Sequence, residues 1–360
     1  MLTTLLSGDF PRSRALSVLL LLVLVGLALA PFLVHGARAL NVAATICIFV
    51  VLVASYDLQL GYTGIVSFAH TMFYGIGAYG VGIALHAMGP GWGPVALGTA
   101  AALAISLVLA LVIGLFSLRV RAIFYAMITL AVAAAFAVLA SQLSDITGGE
   151  DGRSFKVPEI LQPSFRLMDG EILGRAIDGR VVTYYLVFAS ALALFLLMLR
   201  IVNSPFGRVL QAIRENDFRA EALGYRTVVY RTLANCLGAL VATLAGVLMA
   251  LWLRYVGPKT TLSFEVMTDI LLMVVIGGMG TLYGAVVGSA LFILAQNYLQ
   301  ALMGQASEAL SGVPFLSQLF HPDRWLLWLG VLFVLSVYFF PTGIVGKLRA
   351  GALARSQKSP

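Results

Sequence analysis

NSPFGRVLQAIRENDFRAEALGYRTVVYR, residues 203–231, is a hydrophilic segment set between two strongly apolar runs. Five arginines outnumber its acidic residues: Arg208, Arg214, Arg219, Arg226 and Arg231 against Glu215, Asp217 and Glu221. Lys and Arg concentrate on the cytoplasmic side of membrane proteins, so this charge predicts that the 203–231 segment lies in the cytoplasm. The direction in which each flanking run crosses the membrane follows from that placement.

Local signals predict two short helices in the 203–231 segment. Ser204 is a suitable N-cap, Pro205 suits the first helical position, and good helix formers follow. Asn216 and Asp217 break this helix, and Asp217 is expected to cap a second one that Gly224 closes in the left-handed conformation. A charged helical knob of this size is more typical of a docking surface than of a connector, which needs only a few residues.

The composition indicates a membrane protein. Of the 360 residues, 60% are hydrophobic and 11% are charged, and no water-soluble domain of this size could bury so much apolar surface. The net charge of +7 therefore reflects orientation in the bilayer, so lipid and not nucleic acid is the expected surrounding. Cys47 and Cys236 lie inside apolar runs as expected free thiols. No metal or cofactor site is predicted, because the histidines lack ligand spacing: His35, His70, His86 and His321.

A cleaved targeting signal is the first alternative for the N-terminal region. Arg12 and Arg14 precede an apolar run, and residues 28–30 resemble a small-residue cleavage site. The run is about 20 residues long, which is enough to span a bilayer, and Pro31 directly after the site disfavours cleavage. We expect this run to be retained as the first transmembrane helix.

The apolar runs predict an all-α polytopic integral membrane protein, a single domain over residues 1–360 with about ten spans and a range of eight to ten. The expected spans lie near residues 15–34, 39–56, 66–88, 95–118, 122–143, 182–201, 228–253, 263–279, 282–303 and 325–345. Between the fifth and sixth runs lies a polar segment, residues 144–181, which this order of spans makes extracytoplasmic. Residues 203–231 form the cytoplasmic segment.

The distribution of Lys and Arg supports ten spans with both termini in the cytoplasm. Nine cations fall outside, and five of these lie in the polar segment beside acidic residues. Inside lie fourteen: Arg12, Arg14, Arg119, Arg121, Arg200, Arg208, Arg214, Arg219, Arg226, Arg231, Lys347, Arg349, Arg355 and Lys358.

A weak internal echo suggests an inverted repeat of five plus five spans. Glycine-rich junctions occur on the inner side at residues 61–82 and again at 277–288. Transporters are often built from two halves of opposite orientation, and an odd number of spans in each half produces that inversion.

The first glycine-rich stretch is a candidate translocation path. Irregular backbone at membrane depth is tolerated where protein or a water-filled cavity covers it. Close helix packing through small residues is the alternative, and His70 by itself is more typical of a packing residue than of a proton carrier. The candidate path residues are Gly61, Tyr62, Thr63, Gly64, Ser67, His70, Gly277 and Gly278. The last two are also expected to form a tight inner turn.

A spacing of four residues places Gly280, Gly284 and Gly288 on one helix face, where they are predicted to let another backbone approach closely. The run TGGEDG, residues 147–152, could bind an anion or a cation, but it lacks the spacing of a calcium loop and is expected to be an ordinary turn. The charges around it suit either contact with a soluble partner or a solvated loop.

Few other residues are candidates for ion coupling or catalysis. Asp57, Glu265 and Asp269 fall near span ends, whereas ion-coupled carriers bury carboxylates near the membrane centre. The sequence contains no GxxxxGK, HExxH or GxSxG motif. An enzyme is therefore not expected, and a self-sufficient secondary transporter is the disfavoured alternative.

Four blocks in order resemble the M-type permease subunit of branched-chain amino acid ABC importers. They are GYTGIVSFAHTMFYGIGAY (61–79), ITGGEDG (146–152), SPFGRVLQAIRENDFRAEALGY (204–225) and VVIGGMGTLYGAVVGSAL (274–291). The similarity runs from the second span to the last. It implies a path for leucine, isoleucine and valine in the bacterial inner membrane; related permeases for urea, other amino acids or small aromatic acids are the alternative.

The resemblance also implies partners: an H-type permease subunit, two cytoplasmic ABC ATPase subunits and an extracytoplasmic substrate-binding protein. ATP hydrolysis belongs to the ATPases, whose groove would receive the 203–231 segment. Residues 221–224 are similar to the Glu-Ala-Ala-x-x-Gly loop of ABC importers but are shorter, with Leu223 in place of the second Ala. The implied coupling residues are Arg208, Arg214, Glu215, Asn216, Asp217, Glu221, Ala222 and Gly224.

Overall fold

The computed structural model describes residues 13–33, 36–117, 122–172, 175–309, 319–340 and 342–356. Four cations that entered the predicted orientation, Arg12, Arg119, Arg121 and Lys358, lie outside these residues.

Long helices form almost the whole of the described chain. In chain order the helices are α1 (Arg14–Leu33), α2 (Ala37–Thr63), α3 (His70–Met88), α4 (Trp92–Ser117), α5 (Ala122–Gln142), α6 (Ser144–Thr147), α7 (Gly179–Val202), α8 (Pro205–Glu215), α9 (Asp217–Ala222), α10 (Thr227–Leu253), α11 (Pro258–Thr261), α12 (Phe264–Gly277), α13 (Leu282–Ala309), α14 (Trp325–Phe339) and α15 (Gly343–Ser356).

Nine helical stretches in the described residues are long and apolar enough to cross a membrane. The predicted third span, α3, is not among them, because its glycines, tyrosines and histidines lower its hydropathy although it has 19 residues. Nine stretches fall within the predicted range of eight to ten, so the prediction of an all-α polytopic membrane protein is confirmed.

The predicted boundary between the second and third spans was wrong. A span over 39–56 was expected, but α2 continues for 27 residues to Thr63, so Gly61 to Thr63 form its last turn. The non-helical backbone is confined to residues 64–69, and α3 begins at His70 instead of residue 66. The helix extends because its last turns are buried against other helices, which an apolar-run boundary does not register.

Two helices form the centre of the bundle. For α2, 83% of its most apolar window is buried, and for α10 the figure is 72%. Each has 27 residues and each is followed by a residue in the left-handed conformation, Gly64 with φ 73° and Arg254 with φ 56°. The matching length, burial and ending make α2 and α10 structural counterparts.

Helix packing follows the same scheme in both halves. Helices α3 and α4 pack against each other and against α10, while α12 and α13 pack against each other and against α2. Of the flanking helices, α7 follows this exchange, since it packs mainly on α2 and also contacts α10, whereas α1 packs on α2 within its own half. A five-plus-five repeat would pair the inner helices in this way.

The polar segment 144–181 is folded onto the bundle, a structure that the sequence analysis did not anticipate. Strand β1 (Arg153–Ser154) pairs antiparallel with β4 (Tyr255–Val256), and β2 (Arg166–Ile172) pairs antiparallel with β3 (Arg175–Asp178). Phe155, Val157 and Leu161 are buried in one apolar cluster with residues of α3 and α10. The segment therefore closes one end of the bundle, with one turn of 3-10 helix before β1 and another between β1 and β2.

Within this segment the TGGEDG run is a tight turn. Gly148 and Gly152 have φ of 85° and 68°, and a Cβ on Gly152 would lie 2.4 Å from the Val256 carbonyl oxygen. The Tyr255 hydroxyl donates to the Asp151 carbonyl at 2.7 Å, so the run packs on the loop that follows α10. Among the described residues no group of His, Cys, Asp or Glu has a metal-binding arrangement.

Candidate functional site

The 203–231 segment forms the two expected helices, α8 and α9. Ser204 occupies the N-cap of α8, but its hydroxyl donates to the Ile201 carbonyl at 2.6 Å instead of capping an N–H. The N-cap of α9 is Asn216, whose side chain accepts from the Arg219 N–H at 2.9 Å, so the assignment of the cap to Asp217 was wrong. Gly224 has φ 92°, the left-handed conformation predicted for it.

Helix α8 is amphipathic and lies against the ends of the membrane helices. Gly207, Leu210 and Ile213 are its buried residues, spaced three apart on one face. A Cβ on Gly207 would lie 1.9 Å from the Val202 carbonyl oxygen, so α8 folds back tightly onto the end of α7. The same helix also packs against α2 and α10, and any displacement of α8 therefore acts on three membrane helices.

Seven of the eight implied coupling residues divide into two groups. Asp217 forms a 2.8 Å ion pair with Arg231, and Glu221 accepts from the Thr227 hydroxyl at 2.6 Å. These two acids therefore tie α9 to the start of α10. Five others are exposed: Arg208, Glu215, Asn216, Ala222 and Gly224. Of these, Asn216 forms the cap of α9 described above.

Two apolar side chains stand out on the surface of this knob and were missed by the sequence analysis. Phe218 is 83% exposed and Leu223 is 73% exposed, on either end of α9. Large apolar side chains grouped on a charged surface are typical of a contact site for another protein. The available signal was their position in a short helix of a charged segment, a helix in which Ala220 alone is buried.

The eighth implied coupling residue, Arg214, points back to the membrane helices. Its guanidinium donates to the carbonyl of Gly61 in the last turn of α2. The final carbonyls of a helix have no intrahelical donor, and they form the negative end of its dipole. Arg214 therefore satisfies and charge-stabilises the end of α2 from the exposed helix α8.

Asp57 completes this junction from inside α2. Its carboxylate is buried and accepts from the Gly280 N–H at 2.9 Å, in the turn between α12 and α13. A Cβ on Gly61 would lie 2.0 Å from the Asp57 Oδ1 and 2.3 Å from the Gly280 nitrogen. Only glycine fits at residue 61, because the Asp57 side chain and the turn that contains Gly280 meet directly over it.

The turn between α12 and α13 is built from residues 278–281. Gly278 has φ 117° and Gly280 has φ 79°, and a Cβ on Gly280 would lie 2.7 Å from an Arg214 guanidinium nitrogen. Gly280 therefore does not share a helix face with Gly284 and Gly288 as predicted, since α13 begins only at Leu282. The turn needs a left-handed residue there to direct its N–H at Asp57.

The other glycines of this region bring α12 and α13 together. A Cβ on Gly277 would lie 2.0 Å from the Gly284 carbonyl oxygen, and one on Gly288 would lie 2.0 Å from that of Met273. Gly277 thus packs against α13 instead of facing an open path.

The candidate path residues are largely covered in this structure. Gly64 is exposed; the rest are buried: Gly61, Tyr62, Thr63, Ser67, His70, Gly277 and Gly278. His70 Nε2 lies 2.8 Å from the Ser55 hydroxyl oxygen, whose proton goes to the Leu52 carbonyl at 2.7 Å. His70 is therefore the donor of this bond, which links the start of α3 to α2 in this structure.

A buried polar network beside these residues was also missed. The Gln59 amide donates to the Tyr125 hydroxyl at 2.9 Å and to the Asn235 side-chain oxygen at 3.0 Å. Asn235 in turn donates to the Ala110 carbonyl at 2.8 Å. The network joins α2, α4, α5 and α10. A lone Gln and a lone Asn inside apolar spans were the available signal, because polar side chains at membrane depth are costly unless partnered.

A bundle of apolar spanning helices with a polar, glycine-rich centre and a protruding amphipathic helix pair defines this chain as a multi-pass transport permease. It belongs to the family described as branched-chain amino acid transport system, permease component, whose model matches residues 38–337. The expected location in the inner membrane is thereby confirmed.

Curated relatives carry the same description. The high-affinity branched-chain amino acid transport system permease protein LivM of Salmonella typhimurium is 26% identical over 322 residues, which cover 86% of this chain and 74% of the relative. LivM of Escherichia coli K12 is 27% identical over 325 residues, with the same coverage. LivH of that strain is 25% identical over 304 residues, 83% of this chain and 91% of the relative. No solved structure gives a significant match.

Proposed function

We propose that this chain is the M-type permease subunit of an ABC importer and that it passes leucine, isoleucine and valine across the inner membrane. Family membership and the names of the LivM relatives support the substrate class. The observation that carries the mechanism is the contact of Arg214, on the protruding helix α8, with Gly61 at the end of α2.

The partners follow from this assignment. An H-type permease subunit completes the membrane path, two cytoplasmic ATPases hydrolyse ATP, and an extracytoplasmic binding protein delivers the amino acid. The relatives include proteins named LivM and LivH, in agreement with a paired permease. Helices α8 and α9 face the cytoplasm and seat in an ATPase, with Phe218 and Leu223 in its groove. The 144–181 segment faces the binding protein.

Force enters the bundle through the junction of Arg214, Asp57 and Gly280. Arg214 joins α8 to the end of α2, and Asp57 joins α2 to the turn between α12 and α13. These contacts link one helix from each half of the repeat to the same exposed element. A movement of the ATPase that displaces α8 therefore displaces α2 and the α12–α13 turn together.

The structure represents the closed state of the path in this proposal. Ser67 and His70 are buried, and the rings of Phe68 and Phe264 lie 6.1 Å apart between the 64–69 segment and the start of α12. Displacement of α12 through its turn with α13 uncovers the 64–69 segment, which offers uncharged side chains and non-helical backbone to a zwitterionic solute with an apolar side chain.

The test is uptake by the complete importer, assembled from this chain with its permease, ATPase and binding-protein partners in proteoliposomes. Arg214→Ala is expected to lower ATP-driven leucine uptake roughly tenfold, the factor that corresponds to one lost hydrogen bond to a charged group. ATPase binding should persist, because Arg214 faces the membrane helices. Gln211→Ala, an exposed change on the same helix, is the matched control.

Three results would contradict the proposal. Equal uptake by the Arg214→Ala and Gln211→Ala variants would show that the junction does not couple α8 to transport. Transport of urea or a small aromatic acid in place of leucine would show that the proposed substrate class is wrong. Uptake by this chain alone, driven by an ion gradient, makes it a secondary transporter.

A further inference from the structure

Helix α3 begins inside the bundle and not at its end. Its first residue, His70, contacts the middle of α2: the His70 Nε2 lies 2.8 Å from the Ser55 hydroxyl oxygen, and the His70 and Tyr56 rings pack edge-on with centroids 5.2 Å apart. Thr63, the last residue of α2, is two helical turns further along, or about 11 Å. The chain therefore returns through residues 64–69 to the depth of Ser55 before α3 starts.

The two central helices meet at the same place. A Cβ on Gly238 of α10 would lie 3.0 Å from the Ser55 carbonyl oxygen of α2 and 3.6 Å from the His70 Cε1 atom. Since α2 and α10 are structural counterparts, the start of α3 lies at the interface between the two halves of the repeat. Transporters built from such halves bind substrate at that interface, where helices that begin within the membrane direct their N-termini at anionic groups.

The start of α3 carries backbone donors that lack acceptors. His70 and Thr71 are 1% and 2% exposed, and no group in the described part of the chain accepts from either N–H. The first bond of the helix is the one from the Met72 N–H to the Ala69 carbonyl at 3.1 Å. The free N–H groups of a first turn form the positive end of the helix dipole. They are therefore suited to an anion.

A buried side chain is directed at these N–H groups. Tyr56 is fully buried, and its hydroxyl proton has no acceptor among the described residues. The hydroxyl lies beside the backbone of Ser67, three residues before α3, while the ring contacts His70. A tyrosine hydroxyl in an apolar interior is costly unless it finds a partner. The Tyr56 hydroxyl is thus a third donor at the start of α3.

We propose that the start of α3 binds the carboxylate of the transported amino acid, which accepts from the His70 and Thr71 N–H groups and from the Tyr56 hydroxyl. The site rests on the proposed function, in which displacement of α12 uncovers the 64–69 segment. A carboxylate accepts several hydrogen bonds at once, and bonds to an ionised group are the strong ones. The Asp57 carboxylate does not take these donors, because it is directed at the α12–α13 turn and accepts from Gly280.

The experiment measures binding of radiolabelled leucine to the purified importer without its binding protein. A non-hydrolysable ATP analogue is added or omitted, so that both positions of α8 are sampled. Tyr56→Phe should weaken leucine binding about tenfold, the effect of one lost hydrogen bond to a charged group. Both this variant and its control keep the aromatic ring, and unfolding midpoints in detergent check that both fold.

Tyr74→Phe is the matched control and should bind leucine as the wild-type chain does. The Tyr74 hydroxyl is equally buried and also lacks a partner among the described residues. Its ring, however, lies 6.5 Å from that of Phe49, which is about two turns away from Tyr56 on α2. The two variants therefore remove the same group at different depths.

Two leucine analogues identify the recognised group. Isocaproate keeps the carboxylate and lacks the amine, so it should displace leucine, whereas isoamylamine lacks the carboxylate and should not. Displacement by the amine and not by the acid, or equal affinities of Tyr56→Phe and Tyr74→Phe, would overturn the proposal. Absence of leucine binding by an importer that transports leucine would do the same. If the proposed function itself is wrong, the wild-type importer shows no leucine uptake, so the two failures are distinguishable.

Discussion

Gly61 is the residue at which the two halves of the chain and the protruding helix meet. Its carbonyl accepts from Arg214, and its missing side chain leaves room for the hydrogen bond between Gly280 and Asp57. A glycine in the last turn of a helix normally weakens that helix. Here the space it leaves is occupied by two other segments, so its function is close approach and not flexibility.

Gly61→Ala is therefore expected to lower the free energy of unfolding by about 1–3 kcal/mol, the usual cost of overpacking a well-packed site. Thermal unfolding of the purified chain in detergent measures it. Gly26→Ala on α1 is the control, because a Cβ there meets nothing within 4 Å. That variant should be neutral or slightly stabilising, since Ala favours a helix over Gly. Equal unfolding midpoints for the two variants would show that the junction is loose.

Helix α1 illustrates how a proline shapes a whole element. Pro31 leaves the Leu27 carbonyl without its helical donor, and Tyr184 of α7 donates to it across the helix pair. Without that bond a buried carbonyl would be unsatisfied in an apolar environment. The hydrogen bond that Pro31 cannot form within α1 is therefore replaced by one that attaches α1 to α7.

Tyr184→Phe should destabilise the chain by about 0.6 kcal/mol, the average for a hydrogen bond between membrane helices. In a Pro31→Ala background the cost should shrink, because the introduced alanine supplies a backbone N–H to the Leu27 carbonyl. The four unfolding midpoints of this cycle provide the test. Tyr338→Phe, at a side chain that is 77% exposed, is the control. An unchanged cost in the Pro31→Ala background would mean that the carbonyl does not depend on Tyr184.

Helix α9 is predicted to be the surface that the ATPase contacts. Replacing Phe218 and Leu223 together by Ala should weaken ATPase binding tenfold or more, roughly the effect of losing an interface hot spot. Titration of the purified ATPase against the permease pair measures the affinity. The matched control replaces Ile146 and Ile160 together by Ala, since these are exposed apolar residues of the 144–181 segment. Binding that is unaffected by the double variant would place the contact elsewhere, for instance on Arg208 and Glu215.

At the scale of the whole molecule, the orientation in the membrane is open to a direct test. Both native cysteines are buried, so introduced cysteines should dominate labelling by a membrane-impermeant maleimide. Gln211→Cys on α8 should react only from the cytoplasm. Ile160→Cys, at a residue of the 144–181 segment that is 42% exposed, should react only from outside. The reverse pattern would invert the topology and remove the proposed ATPase contact.

The bundle itself illustrates which features of the fold are visible in a sequence. Runs such as those of α4 and α10 are predicted by length and hydropathy, because a bilayer imposes both. Helix α3 was harder to place, since its burial between α4 and α10 allows it to be less apolar than a lipid-facing span. The strands and buried apolar residues of the 144–181 segment were not predicted, because they form only by packing on the bundle.

By itself the sequence determined the membrane class, the approximate spans, the two helices of the 203–231 segment and the family, because these depend on local composition and on short runs of residues. The tertiary structure alone decided that Arg214, Asp57, Gly61 and Gly280 form one junction and that α2 and α10 meet at the start of α3. Residues separated by more than a hundred positions meet only through the packing of whole helices. No local pattern records which helix faces will meet.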